Sequence, residues 1–106
     1  MAMTPEGKVK DRVKRFLKKH NIAYRMIVPS PYGRGTGVSD VLAWLPPHGT
    51  VLAIECKREG DTKGPTENQK QFLDEINSCG GLGVIVKCEQ DILDLEAQLK
   101  QRGLIW

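Results

Sequence analysis

Two periods of apolar recurrence divide the chain. Val9, Val13, Phe16 and Leu17 return at helical spacing. Thr4-Pro5-Glu6 precedes them with a capping hydroxyl, a first-turn proline and an early acid, so the pattern predicts a helix ending near His20-Asn21. Ile22 to Val28 predicts a strand, and Pro29 to Gly37, "PSPYGRGTG", a loop rich in backbone breakers. Val38 to Leu45 and Val51 to Lys57 predict two further strands around Pro46-Pro47-His48-Gly49, which has proline and glycine where a turn favours them. Arg58 to Gly64 is polar. Pro65 or Thr66 then opens a second helix striped with Phe72, Leu73 and Ile76 and closed by Gly80-Gly81. Leu82 to Val86 is a short, continuously apolar strand. Ile92, Leu95 and Leu99 mark a last helix that stops near Gly103.

The resulting order is α-β-β-β-α-β-α, an α/β fold in one domain spanning 1–106, with a mixed four-stranded sheet flanked by helices. A chain of this length has little room for a second core. Residues 51–57, 66–79 and 82–87 form a βαβ unit, which predicts parallel strands and a right-handed crossover. The earlier hairpin is antiparallel. No internal repeat or low-complexity segment interrupts the pattern.

Alternation across a strand places Val51, Ala53, Glu55 and Lys57 on one face, and Leu52, Ile54 and Cys56 on the other. A symmetric turn at 46–49 pairs Leu45 with Thr50, Trp44 with Val51, Leu42 with Ala53 and Asp40 with Glu55. Directly opposed residues have Cβ atoms ~5 Å apart, where like charges destabilise. A divalent cation reverses the sign of that interaction, because two carboxylates make a hard-ligand site suited to magnesium. Without a cation, one acid has to be protonated or turned to solvent.

Charge and cysteine usage change the picture only modestly. The chain carries a formal net charge of +3, with 40% hydrophobic and 27% charged residues, as in ordinary globular proteins. Its cations are concentrated: Lys8, Lys10, Arg12, Lys14, Arg15, Lys18 and Lys19 share the first helix, a stripe that suits either phosphates or plain solvent. Cys56, Cys79 and Cys88 are widely spaced in apolar stretches, with only His20 and His48 beside them as further soft ligands. They read as small buried hydrophobes in a reducing compartment, not as a zinc site. No apolar run approaches the ~20 residues of a membrane span, and the lysine-rich start lacks a signal-peptide core.

Two more polar residues fall on apolar stripes. Glu6 precedes Val9 and Val13 by three and seven positions, and Gln69 precedes Phe72, Leu73 and Ile76 by three, four and seven. Each has a local alternative. Glu6 can complement the helix dipole, and Thr66-Glu67-Asn68-Gln69 matches a capping box.

Asp40, followed fifteen positions later by Glu55-Cys56-Lys57, resembles the D…ExK signature of the PD-(D/E)XK nuclease superfamily, whose core has a similar element order. Glu6, Gly37-Val38-Ser39-Asp40, Glu55-Cys56-Lys57 and Gln69 together look like a virus-type replication-repair nuclease (VRR-NUC) domain, from residue 4 to about 90. Ser39 stands where the superfamily's nominal pattern has proline.

The resemblance implies a restriction-endonuclease-like core and a phosphodiesterase that uses Mg2+, with Mn2+ able to substitute. It assigns Asp40, Glu55 and the carbonyl of Cys56 to the metal, with Glu6 bound through water or to a second ion. Lys57 orients or deprotonates the attacking water or neutralises charge on the phosphate, and Gln69 positions lysine, water or phosphate. The lysine face of the first helix, Lys8, Lys10, Arg12, Lys14 and Arg15, then reads as a backbone contact, and Tyr32 and Arg34 of the glycine-rich loop as further contacts.

A chain of this size has little room for base-reading elements, which favours selectivity for DNA structure over sequence. Cutting two strands requires a symmetric pair of subunits, for which Trp44 and Leu104-Ile105-Trp106 are candidate surface. The expectation is therefore a homodimeric endonuclease acting on branched DNA such as a Holliday junction, in a bacterial or phage-infected cytoplasm. A flap-cutting, nicking or restriction-type nuclease, or a non-catalytic nucleic-acid-binding module of the same fold, are the alternatives.

Overall fold

The structure is a computed structural model that describes residues 4–27 and 38–105. Helix α1 (Pro5–Lys19) starts where the sequence places it, with Thr4 Oγ1 accepting a hydrogen bond from Gly7 N at 3.0 Å. It is followed by β1 (Ala23–Met26), β2 (Val41–Leu45), β3 (Thr50–Cys56), α2 (Glu67–Ser78), β4 (Leu82–Val86) and α3 (Glu89–Gln101). The strands lie in the order β1-β2-β3-β4. β3 and β4 are parallel, and the other neighbours are antiparallel.

The β2–β3 register is the one the turn predicts: Leu45 opposes Thr50, Trp44 opposes Val51, and Leu42 opposes Ala53. Gly49 makes this turn possible, with φ +74° and its N–H bonded to the Leu45 carbonyl at 2.8 Å.

Strand ends differ from expectation for local reasons. The predicted strand from Val38 begins only at Val41. Ser39 is buried, and its hydroxyl donates to the Val41 carbonyl at 3.0 Å, a side-chain bond that competes with ladder pairing. Ile22 belongs to the core but not to β1, because its N–H is taken by the Leu17 carbonyl at 2.9 Å. Val28, and the expected loop Pro29 to Gly37, lie outside the described residues.

One sheet face carries Val41, Ala43, Leu45, Leu52, Ile54, Cys56, Leu82 and Val86. It packs against Val9, Val13, Phe16 and Leu17 of α1 and Ile92, Leu95 and Leu99 of α3. Each large aliphatic side chain buried there contributes about 1.5–3 kcal/mol. The two helices are also linked at the surface, where His20 Nε2 lies 3.0 Å from Glu96 Oε2. That hydrogen bond, with the ammonium groups of Lys100 and Lys19, holds Glu96 below the usual carboxylate range.

Helix α2 covers the other face over β3 and β4. The approach is close: a Cβ at Gly83 would stand 2.8 Å from the Leu73 carbonyl oxygen, so glycine is what allows the helix to sit there. The cover stops short of β2, where Trp44 is 40% exposed and is not a core residue. The cysteine expectation is corrected in part. Cys56 is buried, but Cys79 is exposed, because the inward stripe of α2 ends at Ile76 and Cys79 caps the helix.

Candidate active site

β3 runs out of the core at Glu55, and this is where polar groups gather. Glu55 is only 2% exposed, although the strand ends one residue later. Regular pairing stops at Val41 and Ile54, one step short of the expected Asp40–Glu55 pair. Asp40 lies instead in a bend, and its Oδ2 accepts the Cys56 N–H at 2.8 Å. The two acids still meet, but because a side chain reaches across to a backbone donor and not because the ladder continues.

The consequences for Glu55 are severe. Its pKa is raised to about 8, first by burial, then by the Asp40 charge and by a hydrogen bond to Asp40, with a smaller push from Glu6. Lys57, whose Nζ is 3.8 Å from Glu55 Oε1, pulls the other way and does not prevail. The neighbouring Cys56 thiol is pushed up to about 12, chiefly by its own burial.

Gln69 ties this cluster to α2. Its Oε1 accepts from Thr66 N at 2.9 Å and from Lys57 Nζ at 3.2 Å, while its Nε2 donates to Glu55 Oε1 at 3.0 Å. Thr66 Oγ1 returns the favour by accepting from Gln69 N at 3.2 Å. The two sequence readings of Gln69, capping box and site residue, are therefore both realised by one side chain. A helix cap fixes the amide that orients Lys57 against Glu55.

One atom is left over. Among the described residues, Glu55 Oε2 is buried and accepts no hydrogen bond. A buried carboxylate oxygen without a donor costs about 1–3 kcal/mol or more. Beside a second carboxylate, it suits a hard divalent cation, which binds through one or two carboxylates and retains its own waters. Among the described residues no three His, Cys, Asp or Glu side chains converge; the two acids brought together are Asp40 and Glu55. Glu6, half-buried on the first turn of α1, acts on Glu55 through its field.

The basic face of α1 is less uniform than its sequence suggests. Lys8 is exposed, but Arg12 pairs with Glu59 at 4.0 Å and Arg15 with Asp11 at 2.8 Å. Lys14 is half-buried. Lys10 leaves the outer face altogether: its Nζ is 3.8 Å from Asp40 Oδ1. Sequence reasoning missed this inward role. The available signal was Glu6 four residues earlier, which puts Lys10 on the same helix side. Arg34, Tyr32 and Trp106 lie outside the described residues.

Comparison with known proteins bears on what such a cluster does. The family model for the VRR-NUC domain matches residues 6–90, from the first turn of α1 through β4 to the start of α3. No curated protein and no solved structure matches the chain. Among the described residues no helix is long and apolar enough to cross a membrane.

Proposed function

Because the chain belongs to the VRR-NUC family, a family of nuclease domains, we propose that it is a divalent-metal-dependent endonuclease acting on branched DNA. The observation that carries this reading is the buried Glu55 carboxyl beside Asp40, with one oxygen that no donor among the described residues reaches. Asp40, Glu55 and the Cys56 carbonyl would hold Mg2+, with Mn2+ as a substitute, and Glu6 would add charge from the side. The ion, when bound, supplies Lewis acidity toward a phosphodiester and lowers the pKa of coordinated water.

The remaining work belongs to side chains. Asp40 is held in place by the Cys56 N–H, so its carboxylate is oriented before anything binds. Lys57, fixed by Gln69 at 3.2 Å, presents a cation to the oxygens that gain charge as the phosphate is attacked. A positioned ammonium of this kind needs no reorganisation during the reaction. Lys57 Nζ lies 3.8 Å from Glu55 Oε1, and its role in this reading is that of electrostatic stabiliser.

Outward cations on α1, the exposed Lys8 among them, track the sugar-phosphate backbone without reading sequence. Two-strand cutting at a four-way junction calls for a homodimer, each subunit carrying one such site.

The test uses purified protein with a labelled four-way junction, a flap and plain duplex, with and without Mg2+. Metal-dependent, symmetric nicks at the junction are the expected result. Cutting confined to flaps or to one strand would transfer the reading to a flap or nicking nuclease. Binding with no cleavage under any metal would leave a nucleic-acid-binding module.

A further inference from the structure

Lys10 sits in an unusual place for a DNA-contacting lysine. Its Nζ is 3.8 Å from Asp40 Oδ1, with its side chain 33% exposed and that of Asp40 18% exposed. The other oxygen of Asp40 is committed to the Cys56 N–H. Lys57, the second cation of the cluster, is occupied by Gln69 and Glu55. Among the described residues Lys10 is therefore the cation that faces the second oxygen of Asp40, and its field reaches Cys56 as well.

We propose that Lys10 is the resident counter-ion of the carboxylate pair, displaced from Asp40 when a divalent cation binds and handed over to a phosphate of the substrate. This rests on the metal-dependent nuclease reading and adds a coupling to it. An ammonium and a divalent ion cannot share one carboxylate oxygen without strong repulsion, so entry of one expels the other. The lysine stem is partly solvated and comes from the first turns of a helix, so the head is free to swing outward. Once released, it lies next to the position of the scissile phosphate and gains a partner there. By linkage, DNA that draws Lys10 away tightens metal binding, and metal that expels it tightens DNA binding.

Titrating Mn2+ alone into the metal-free protein by calorimetry tests the first half. Lys10→Gln is expected to bind Mn2+ about two- to fivefold more tightly than wild type, the size expected for a partly exposed ion pair. Lys8→Gln removes the same charge from the outer face and is expected to leave Mn2+ affinity unchanged. Lys10→Arg, which restores a cation, is expected to return to the wild-type value. Equal or weaker Mn2+ affinity in Lys10→Gln overturns the displacement.

The second half is read by fluorescence anisotropy of a labelled four-way junction in Ca2+. Lys10→Gln is expected to weaken binding and to reduce the salt slope by about one. Unchanged junction binding overturns the hand-over to phosphate. Absence of Mn2+ binding in wild type and variants alike overturns the metal-dependent reading itself, and the Lys10 proposal falls with it.

Discussion

The proposed metal-dependent chemistry turns on Glu55, a carboxyl buried beside a second acid. Its pKa of about 8 in the folded chain, against 4.5 for the unperturbed group, means that folding takes up a proton between those values. At Glu55 the native state then binds more protons than the unfolded state, so the contribution of this one group to metal-free stability is full below pH 4.5 and is lost as pH rises through about 8. Glu55→Gln is expected to flatten that loss, seen by comparing melting curves of the two proteins at pH 5, 7 and 9, and to abolish cleavage. Asp40→Asn is expected to raise the metal-free melting temperature at pH 9, by about 1 kcal/mol of stability. Its amide oxygen still accepts the Cys56 N–H while the repulsion on Glu55 disappears. A lower melting temperature would mean that the Lys10 pair and the charge of Asp40 matter more than the crowding. The two acids were legible in the sequence as charges at the end of an apolar hairpin, but the expected Asp40–Glu55 pair was not formed, because the ladder stops at Val41 and Ile54. The Cys56 N–H bond and the inward turn of Lys10 were not legible, since both depend on where a flexible side chain ends up.

At the level of elements, the site depends on how α2 is seated. Gln69 belongs to its first turn and Gly83 to the strand beneath it, so one helix position serves both packing and chemistry. Gly83→Ala would drive a methyl against the Leu73 backbone, at 2.8 Å from its carbonyl oxygen and 3.0 Å from its Cα. A loss of about 1–3 kcal/mol is expected in urea melts, together with reduced cleavage because α2 carries Gln69. The cap itself separates stability from activity. Thr66→Ala removes the hydroxyl that accepts from Gln69 N and is expected to cost about 1 kcal/mol, with little effect on cleavage. Gln69→Ala loses the bonds to Thr66 N, Lys57 and Glu55 together and is expected to lower both stability and turnover. Equal damage to cleavage from the two variants would show that the amide of Gln69 does not position Lys57. The helix, its cap and its inward stripe were readable from spacing. The strand start at Val41 was not, because Ser39 is polar by type and buried by place, and its hydroxyl ends the ladder locally.

Across the whole molecule, element order and strand pairing followed from the apolar periodicity, since two faces of one sheet each had to be covered. What periodicity could not show is that α2 leaves part of its face open at Trp44. In the proposed junction nuclease that surface is where a second subunit would dock. Sedimentation is expected to give twice the 11.8 kDa chain mass for wild type, and the monomer for Trp44→Glu. A monomeric wild type that still cuts both strands of a junction would remove the need for a pair. The central claim, however, concerns the two carboxylates, and it is tested most directly by the thermal shift that Mg2+ produces at pH 8.5 in the absence of DNA. At a concentration well above its dissociation constant, the ion is expected to raise the wild-type melting temperature by about 5 °C or more, and to leave Glu55→Gln unmoved. An unshifted wild type, or an equal shift in both proteins, would contradict it.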